Sequence, residues 1–578
     1  MKKSVLYFLM ILVTVTLFLT TCASDEPAAT VTQVESPTEL PTERPTTTNT
    51  AAPLPTATTI PTQVATATNT PTPVTPTPVP EPDDATEDLE LSLQTSPVQA
   101  YPGPAHFVGD VLTFEIDSGQ AYNNIDEFMV SITVADEPPI EVTGTWRFSQ
   151  IRLREALDTG SLQPGSYTVT FQAEGSEIDW QEQYEFVLLP SDERPLQEAN
   201  LAWEQQELSC CILHTISNTA ASRDIAAIME LVDETASSLI ADTNTALTTK
   251  LNIYFIDRLW GNGGFGGNGE LVLSYTDRFY GPGLDLGTII RHELSHALGF
   301  GEPEEDIYFL FNEGLSVFLA GGHYKQEPLD KRGAAMLELG YSASLANPFD
   351  AQHEIAYLKG GALMTFIMDV YGEEVFWQFV ESATVDPTAA ALELREETIQ
   401  AVFGTSFEDF NQAFQDWLEA IDPEEQVEDL ALTIRVQNLR RQYQSQYSVS
   451  PQFIFGSAAE SYGQPYALPS LVREARDPQH VAIELMLMNA QQAIVDGRYD
   501  NADQLADIIE DVLNTQSFDF EIARTYFSIV QLLAEMGYEV VSLNLGEAEA
   551  SVTVTSSAPN LESLQLRLSD GVWELAGE

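Results

Sequence analysis

The sequence predicts a multidomain protein: an antiparallel β-sandwich, then an α+β domain, then a C-terminal helical and small α+β region. The chain has 578 residues, and a single hydrophobic core does not grow to that size. Hydrophobic residues make up 44% of it, as in ordinary globular proteins, so most of the length can bury a core. The hydrophobic pattern also changes along the chain, from short alternating runs to long helical periods, and finally to helices followed by strands.

The N-terminus has the layout of a secretory signal. Lys2 and Lys3 precede an apolar run from Val5 to Leu19, which at about 15 residues is short for a membrane span of roughly 20. The run ends in Leu-Thr-Thr-Cys at 19–22, which resembles the cleavage box of bacterial lipoproteins. We predict a lipoprotein signal peptide over 1–22, with Cys22 acylated and holding the protein on the extracytoplasmic face of the cell membrane. An uncleaved anchor and an ordinary signal with an incidental cysteine are the alternatives.

Residues 23–87 are predicted to be a linker. They are rich in Thr and Pro, and between Pro71 and Pro78 nearly every second residue is Pro. Pro at this density favours extended backbone without internal hydrogen bonds, so the segment is expected to act as a semi-rigid stalk. A tail without any spacing role is the alternative.

Residues 88–190 are predicted to form the β-sandwich, of the immunoglobulin-like type. Short alternating runs are separated by turn residues, as in Val111–Ile116, Phe128–Val134 and Tyr167–Phe171. Several such strands within about 100 residues are typical of two packed antiparallel sheets. No residue pattern in this region indicates chemistry, so we expect a spacer or a binding module.

The next two regions mix helices and strands. In 200–422 the pattern predicts a helix over Asp224–Leu239 and strands over Leu251–Ile256 and Leu271–Tyr275. A glycine-rich stretch at 261–268 precedes the second strand and is expected to be a mobile lip or a long turn; substrate could pair with Leu271–Tyr275 if that strand is an edge. In 423–578 the pattern predicts helices and then strands, at Glu425–Gln446, Gln479–Asp496, Asn501–Asn514, Ser551–Thr555, Ser563–Leu568 and Gly571–Leu575.

Charge and cysteine content narrow the range of partners. The chain has 25 Lys and Arg against 88 Asp and Glu, a formal net charge of −63. This argues against nucleic acid as a partner and against adhesion to anionic lipid through a basic surface. With three cysteines, the chain has no disulfide framework. Cys210 and Cys211 are expected to be buried thiols, because adjacent cysteines pair with strained geometry.

The residues most indicative of chemistry are His292-Glu293-Leu294-Ser295-His296. Apolar residues flank the motif and favour a helix, which places both imidazoles on one face, where they can bind one Zn²⁺. Glu293 then lies beside the metal and can act as the general base on a metal-activated water. Two satisfied histidines on an ordinary helix are the alternative.

Catalytic zinc usually takes three protein ligands. We predict Glu313 as the third, in Asn312-Glu313-Gly314 after 16 intervening residues. The alternative is that Glu313 is an ordinary acidic residue on the surface of a helix. A second possibility is Glu302, which with Gly299 nearly completes the longer metzincin pattern, although the ligand at that position is normally His or Asp.

Three stretches in this order resemble a known group: His292–His296, Asn312–Gly314, and Tyr357-Leu-Lys-Gly followed by Tyr371-Gly. They are similar to the gluzincins, and within them to the peptidase-MA-like bacterial proteins related to aminopeptidase N, over about 208–418. The resemblance implies a gluzincin-type zinc peptidase domain with one Zn²⁺. It also implies that Tyr357 stabilises the tetrahedral intermediate. The alternative is that Tyr357 is an aromatic side chain packed on its own helix, without a role in chemistry.

The expected activity is therefore hydrolysis of peptide bonds in a peptide or protein substrate. Zn²⁺ would be held by His292, His296 and Glu313, with Glu293 as the base. Two alternatives remain open. One is a surface protein with a vestigial zinc domain that acts in binding, and the other is a hydrolase of a different amide, such as a cell-wall linkage.

Overall fold

The computed structural model is mixed α/β with three sheets, and residues Ala85–Glu578 form one compact unit. Cys22, Gly299, Glu302 and the predicted signal and linker lie outside the described residues. The structure describes residues 98–576 except for 102, 104, 118–126, 135–139, 148–149, 154–156, 175–178, 196–197, 199, 246–248, 258–262, 268, 280–284, 298–308, 347–352, 383–395, 448–467 and 557–559.

The first sheet has nine strands, ordered β1-β3-β6-β5-β4-β8-β9-β2, with β7 beside β3. Their neighbours are antiparallel except for β2 and β9. The predicted strands at 111, 128 and 167 lie within β3, β4 and β8. The strands are β1 Val98–Tyr101, β2 His106–Phe107, β3 Val111–Asp117, β4 Glu127–Val134, β5 Ile140–Arg147, β6 Gln150–Leu153, β7 Leu157–Asp158, β8 Gly165–Glu174 and β9 Asp179–Leu189.

This sheet folds back on itself. Phe114 in β3 is four strands away from Phe171 in β8 along the hydrogen-bonded order, which would separate them by about 19 Å in a flat sheet. Their ring centroids are instead 4.9 Å apart, and the ring of Phe114 is 6.0 Å from that of Tyr184 in β9. The two layers expected of a sandwich therefore face each other across an aromatic core. Both layers belong to one hydrogen-bonded sheet, because β6, β5 and β4 link β3 to β8 in a continuous strand order.

The second sheet has the order β10-β11-β12-β14-β13. The predicted strand Leu251–Ile256 is β12, Leu271–Tyr275 overlaps β14, and the predicted helix at 224–239 is α2. Apolar side chains of α2, among them Ile228 and Val232, are buried in one core with Ile253 of the sheet. The elements are β10 Trp203–Glu207, β11 Cys211–Ile216, α1 Ala220–Arg223, α2 Ile225–Thr243, β12 Leu251–Ile256, β13 Gly264–Gly267, β14 Glu270–Ser274 and α3 Leu286–His296.

Two expectations about this region are corrected. The glycine-rich segment is not simply a turn: Gly264–Gly267 pairs antiparallel with β14 and forms the last strand of the sheet. Consequently β14 is an inner strand and β13 is the edge. Cys210 and Cys211 are joined by a disulfide, so the prediction of two thiols is wrong. Both side chains are buried in the same core.

A layer of helices follows and encloses a second core, in which Phe311, Phe366 and Phe414 are fully buried. Its last helix, α10, is shared with the C-terminal region. Leu430 and Ile434 of α10 pack into this second core, whereas other residues of α10 pack into the next one. The helices are α4 Phe309–Ala320, α5 Leu329–Glu338, α6 His353–Tyr371, α7 Glu373–Ser382, α8 Glu396–Phe403, α9 Phe407–Glu419 and α10 Gln426–Tyr447.

The C-terminal region packs three long helices against an antiparallel sheet of order β15-β16-β17-β18. The helices and strands predicted there are present, and α11, α14 and β15 are additional elements that the pattern did not predict. The elements are α11 Leu468–Val472, α12 Pro478–Val495, α13 Tyr499–Thr515, α14 Glu521–Glu535, β15 Glu539–Leu545, β16 Glu549–Thr555, β17 Glu562–Ser569 and β18 Val572–Leu575.

Ion pairs join the first sheet to the C-terminal region. Arg473, after α11, contacts Asp110 at 3.0 Å and Glu198 at 2.5 Å. Arg194 contacts Asp110 from another side at 2.7 Å, and Arg476 contacts Glu198 at 3.3 Å. These five side chains are called the junction cluster below. Since Asp110 follows β2 of the first sheet, the junction cluster ties that sheet to the segment leading into α12.

Among the described residues, no helix is both long and apolar enough to cross a membrane.

Candidate metal centre

Helix α3 carries the His-Glu-x-x-His motif. It begins after Asp285, whose carboxylate accepts hydrogen bonds from the backbone N–H of Gly287 at 3.0 Å and from the hydroxyl of Thr288 at 2.7 Å. These bonds satisfy donors that are otherwise unpaired at the start of a helix. His292 and His296 are one turn apart, and their Nε2 atoms lie 3.3 Å from each other.

Glu313 reaches the two histidines from α4. Its Oε2 atom lies 3.3 Å from Nε2 of His292 and 3.4 Å from Nε2 of His296. Among the residues that the structure describes, no Lys or Arg pairs with this carboxylate. We call His292, His296 and Glu313 the ligand triangle.

Two glycines allow α4 and α6 to approach closely enough to place Glu313. A Cβ atom on Gly314 would lie 2.5 Å from the carbonyl carbon of Gly360, and one on Gly360 would lie 2.6 Å from the carbonyl oxygen of Leu310. Neither helix could therefore carry a larger residue at the crossing. Gly314 follows Glu313 directly, and Gly360 ends the Tyr357-Leu-Lys-Gly stretch, so the glycines of both motifs meet at one helix contact.

The ligand triangle has dimensions that fit a tetrahedral zinc ion. Bonds of about 2.0–2.2 Å meeting at tetrahedral angles separate the ligand atoms by about 3.3–3.5 Å. The three separations here are 3.3, 3.3 and 3.4 Å. Two imidazoles and one carboxylate are also a donor set that catalytic zinc uses. These three residues could hold one divalent cation.

The other ring nitrogen of His296 is engaged by a serine. Nδ1 lies 3.2 Å from the hydroxyl of Ser316, which donates to the carbonyl oxygen of Asn312 at 3.1 Å. A proton on Nδ1 is therefore donated to Ser316, and the Nε2 lone pair is left for a metal. Nδ1 of His292 is buried and has no hydrogen-bond partner among the described residues.

Charge in the ligand triangle is concentrated on Glu313. Burial alone would raise its pKa, but the two imidazoles outweigh burial and hold the pKa well below its usual range. Burial lowers the pKa of His292 to about 4, against the opposing effect of Glu313. For His296, burial lowers the pKa, but the hydrogen bond and charge of Glu313 outweigh it and the net pKa is raised. The triangle thus holds an ionised carboxylate with a neutral His292.

Glu293 is buried under the edge strand. A Cβ atom on Gly264 of β13 would lie 3.1 Å from Cγ and Oε1 of Glu293, and 2.6 Å from a side-chain carbon of Leu273. A larger residue at Gly264 would therefore have to displace the side chain of Leu273 and press on this carboxyl group. Burial raises the pKa of Glu293 to about 7, with the charge of Glu313 adding to the effect and His296 opposing it. Such a carboxyl group can both accept and return a proton near neutral pH.

Tyr357 lies beside the ligand triangle. Its ring centroid is 6.0 Å from that of His292. Burial, and then the nearby carboxylates of Glu313, Glu293 and Glu354, raise the pKa of its hydroxyl far above the usual value. The hydroxyl therefore keeps its proton and acts as a hydrogen-bond donor. The structure thus brings all five predicted site residues of the folded region together.

Sequence reasoning missed a polar group next to Tyr357. The ring of His323 stacks on Tyr357 with centroids 4.1 Å apart, and its Nδ1 lies 2.9 Å from the carboxylate of Glu354. Gln437 of α10 donates to the same carboxylate at 3.1 Å. His323 is one of only seven histidines in the chain, and this rarity was the one feature of the sequence that could have drawn attention to it. Glu354 and Gln437 belong to no recognisable sequence motif.

No protein-family model matches this chain, and no curated protein matches it.

Proposed function

We propose that this protein is a zinc metallopeptidase of gluzincin type, tethered by lipidated Cys22 to the extracytoplasmic face of a bacterial membrane. The ligand triangle carries the proposal: three electron-pair donors converge at 3.3–3.4 Å, with a buried carboxyl group and a tyrosine beside them. The fold assignment draws on the order of the three motifs along the chain and on the glycine contact between α4 and α6.

Zn²⁺ held by the triangle would supply a Lewis acid that activates water and polarises a carbonyl group. Glu293 takes the proton of the attacking water and returns it to the leaving amine. The Tyr357 hydroxyl donates a hydrogen bond to the substrate oxygen as negative charge develops there. Removing one such donor commonly raises the barrier by roughly 2.7–4 kcal/mol.

The edge strand offers a way to hold a peptide. β13 pairs with β14 on one side, and on its other side no described strand is paired with it. An extended peptide added there would form backbone hydrogen bonds next to Glu293, irrespective of side-chain sequence. A substrate bound in this way is an extended segment of a peptide or protein.

The proposal is tested with the full chain purified in detergent, by metal analysis together with cleavage profiling on a mixed peptide library. We expect about one zinc per chain and cleavage by the natural protein. Glu293→Gln should keep its zinc and lose about 100- to 10,000-fold in turnover, the usual contribution of a general base. Glu338→Gln, an exposed substitution on α5, is the matched control and should leave turnover unchanged.

Unchanged turnover in Glu293→Gln would remove Glu293 from the mechanism. Zinc binding without any cleavage by the natural protein would favour the alternative of a vestigial zinc domain that acts in binding.

The proposed location has its own test. Cys22→Ser removes the thiol that would be acylated, so a cleaved variant carries no lipid chain that would hold it at the membrane. We expect the variant to leave the membrane fraction, or to remain unprocessed, as followed by fractionation and by mass spectrometry of the N-terminus. Retention of a processed variant in the membrane would contradict lipid anchoring.

A further inference from the structure

A buried polar group that the proposed mechanism does not use lies next to Tyr357. It consists of His323, just after α4, Glu354, in the first turn of α6, and Gln437, in α10. Their exposed fractions are 4, 3 and 2%. His323 Nδ1 and Gln437 Nε2 both contact Glu354 Oε2, at 2.9 and 3.1 Å. Burying three polar side chains together is unfavourable unless they satisfy one another, so their arrangement is specific.

The ring of His323 is the contact between this group and Tyr357. The two rings are nearly parallel, at 14° with centroids 4.1 Å apart. The same imidazole also contacts the ring of Tyr324 at 3.8 Å. Its centroid is 5.7 Å from that of His292. His323 therefore packs among aromatic side chains and bounds the space in which the ring of Tyr357 can turn.

Glu354 holds His323 in this place. It lies three residues before Tyr357 on α6, so both side chains project from one face of the helix. Burial would raise the pKa of Glu354, but His323, Gln437 and the charge of Arg332 outweigh it and lower the pKa to about 2. The carboxylate is thus ionised at neutral pH and binds the imidazole through a charge-assisted hydrogen bond.

We propose that His323, Glu354 and Gln437 are positioning residues that fix the plane of the Tyr357 ring beside His292. Because Gln437 belongs to α10, a helix outside the predicted peptidase region of 200–422 takes part in shaping the site. The inference rests on the proposed function only in so far as the Tyr357 hydroxyl serves the reaction. The fixing of the ring is a property of the fold and can be measured without turnover.

The first measurement is fluorine NMR of 3-fluorotyrosine placed at position 357. In the natural protein we expect slow ring flipping. Gln437→Leu removes one hydrogen bond from Glu354 and should accelerate flipping by about tenfold, the equivalent of one buried hydrogen bond. The matched control is Gln442→Leu on the same helix, where Gln442 donates to Asn514 in an exposed pair, and it should leave the rate unchanged. An unchanged rate in Gln437→Leu would overturn the proposal.

The second measurement is a double-mutant cycle on peptide cleavage. Gln437→Leu should lower kcat by about tenfold, with KM and zinc content nearly unchanged, since it affects only the orientation of a transition-state donor. In a Tyr357→Phe background, the same substitution should change kcat by less than about twofold, because the hydroxyl it positions is gone. An equal tenfold loss in both backgrounds, or loss of zinc, would contradict action through Tyr357.

If Gln437→Leu does not fold, Glu354→Gln is used in its place, because this substitution removes the charge of Glu354 and keeps the shape of the side chain. The same two measurements, with the same expected results, then test the proposal. A natural protein that fails to cleave any peptide would refute the proposed function, while the fluorine measurement would still decide whether the ring is held. The two failures are therefore distinguishable.

Discussion

Two buried clusters of charged and titratable side chains differ in how their charge is balanced. In the junction cluster each carboxylate faces guanidinium groups: Asp110 contacts Arg473 and Arg194, and Glu198 contacts Arg473 and Arg476. In the ligand triangle, the charged or titratable partners of Glu313 among the described residues are two imidazoles, whose Nε2 atoms both lie close to its Oε2 atom. A structural cluster carries its own cations, whereas the triangle has an excess of electron-pair donors. That excess is the feature expected of a site that takes its cation from solution.

The largest effect on folding is expected at the junction cluster. Arg473→Met should lower the free energy of unfolding by about 3 kcal/mol, because it leaves two buried carboxylates short of a partner. In the variant, Asp110 still contacts Arg194 and Glu198 still contacts Arg476. The expected loss of unfolding free energy is therefore at the low end of the range for breaking a buried ion pair. Zinc affinity should not change. Denaturant unfolding and zinc titration of the variant measure both.

The control is Arg435→Met. Arg435 also pairs with three carboxylates, at 2.6–2.7 Å, but they lie on the exposed surface of α13. Exposed ion pairs contribute roughly 0–1 kcal/mol, so this variant should unfold almost as the natural protein does. Equal losses in the two arginine variants would mean that burial does not distinguish the clusters.

A smaller, pH-dependent effect is expected at Glu354. Its pKa is lowered to about 2 in the folded protein, below the usual value of about 4.3 for Glu. A lowered folded-state pKa stabilises the fold at pH values above the unfolded pKa, and this stabilisation is lost as the pH falls through the folded pKa. The stability difference between the natural protein and Glu354→Gln should therefore be constant above about pH 5 and shrink by about 2 kcal/mol towards pH 2. A difference that stays constant down to pH 2 would show that the carboxylate is not held by charge.

Local periodicity was sufficient to predict that His292 and His296 lie together. The spacing of His292 and His296 is one helical turn, and a helix places such residues together whatever surrounds it. Glu313 could be predicted because it belongs to a second motif, Asn312-Glu313-Gly314. The structure shows that Gly314 is needed where α4 crosses α6. Strands β3 and β8 likewise follow from alternation within a few residues, and β12 follows from a short apolar run.

The remaining features depend on contacts between distant parts of the chain. Gly264–Gly267 becomes a strand only because β14 pairs with it, since glycine has little intrinsic preference for strands. Gln437 reaches Glu354 across 83 positions, and no local pattern signals that approach. The curling of the first sheet brings β3 against β8 through three intervening strands, which no local pattern signals. The bond between Cys210 and Cys211 joins neighbouring residues, and the sequence argument missed it because adjacent cysteines pair with strained geometry.

The most direct test of the account is zinc binding by the natural protein and by Glu313→Gln. Glu313→Gln keeps the shape of the side chain and removes the charge that balances the cation, so affinity should fall by more than about 100-fold, beyond the usual loss for a residue that only orients a ligand. X-ray absorption of the natural protein should show two imidazoles and a carboxylate at about 2.0–2.2 Å. Equal affinity in both proteins, or no bound zinc in the natural one, would contradict the central claim that these three side chains form a metal site.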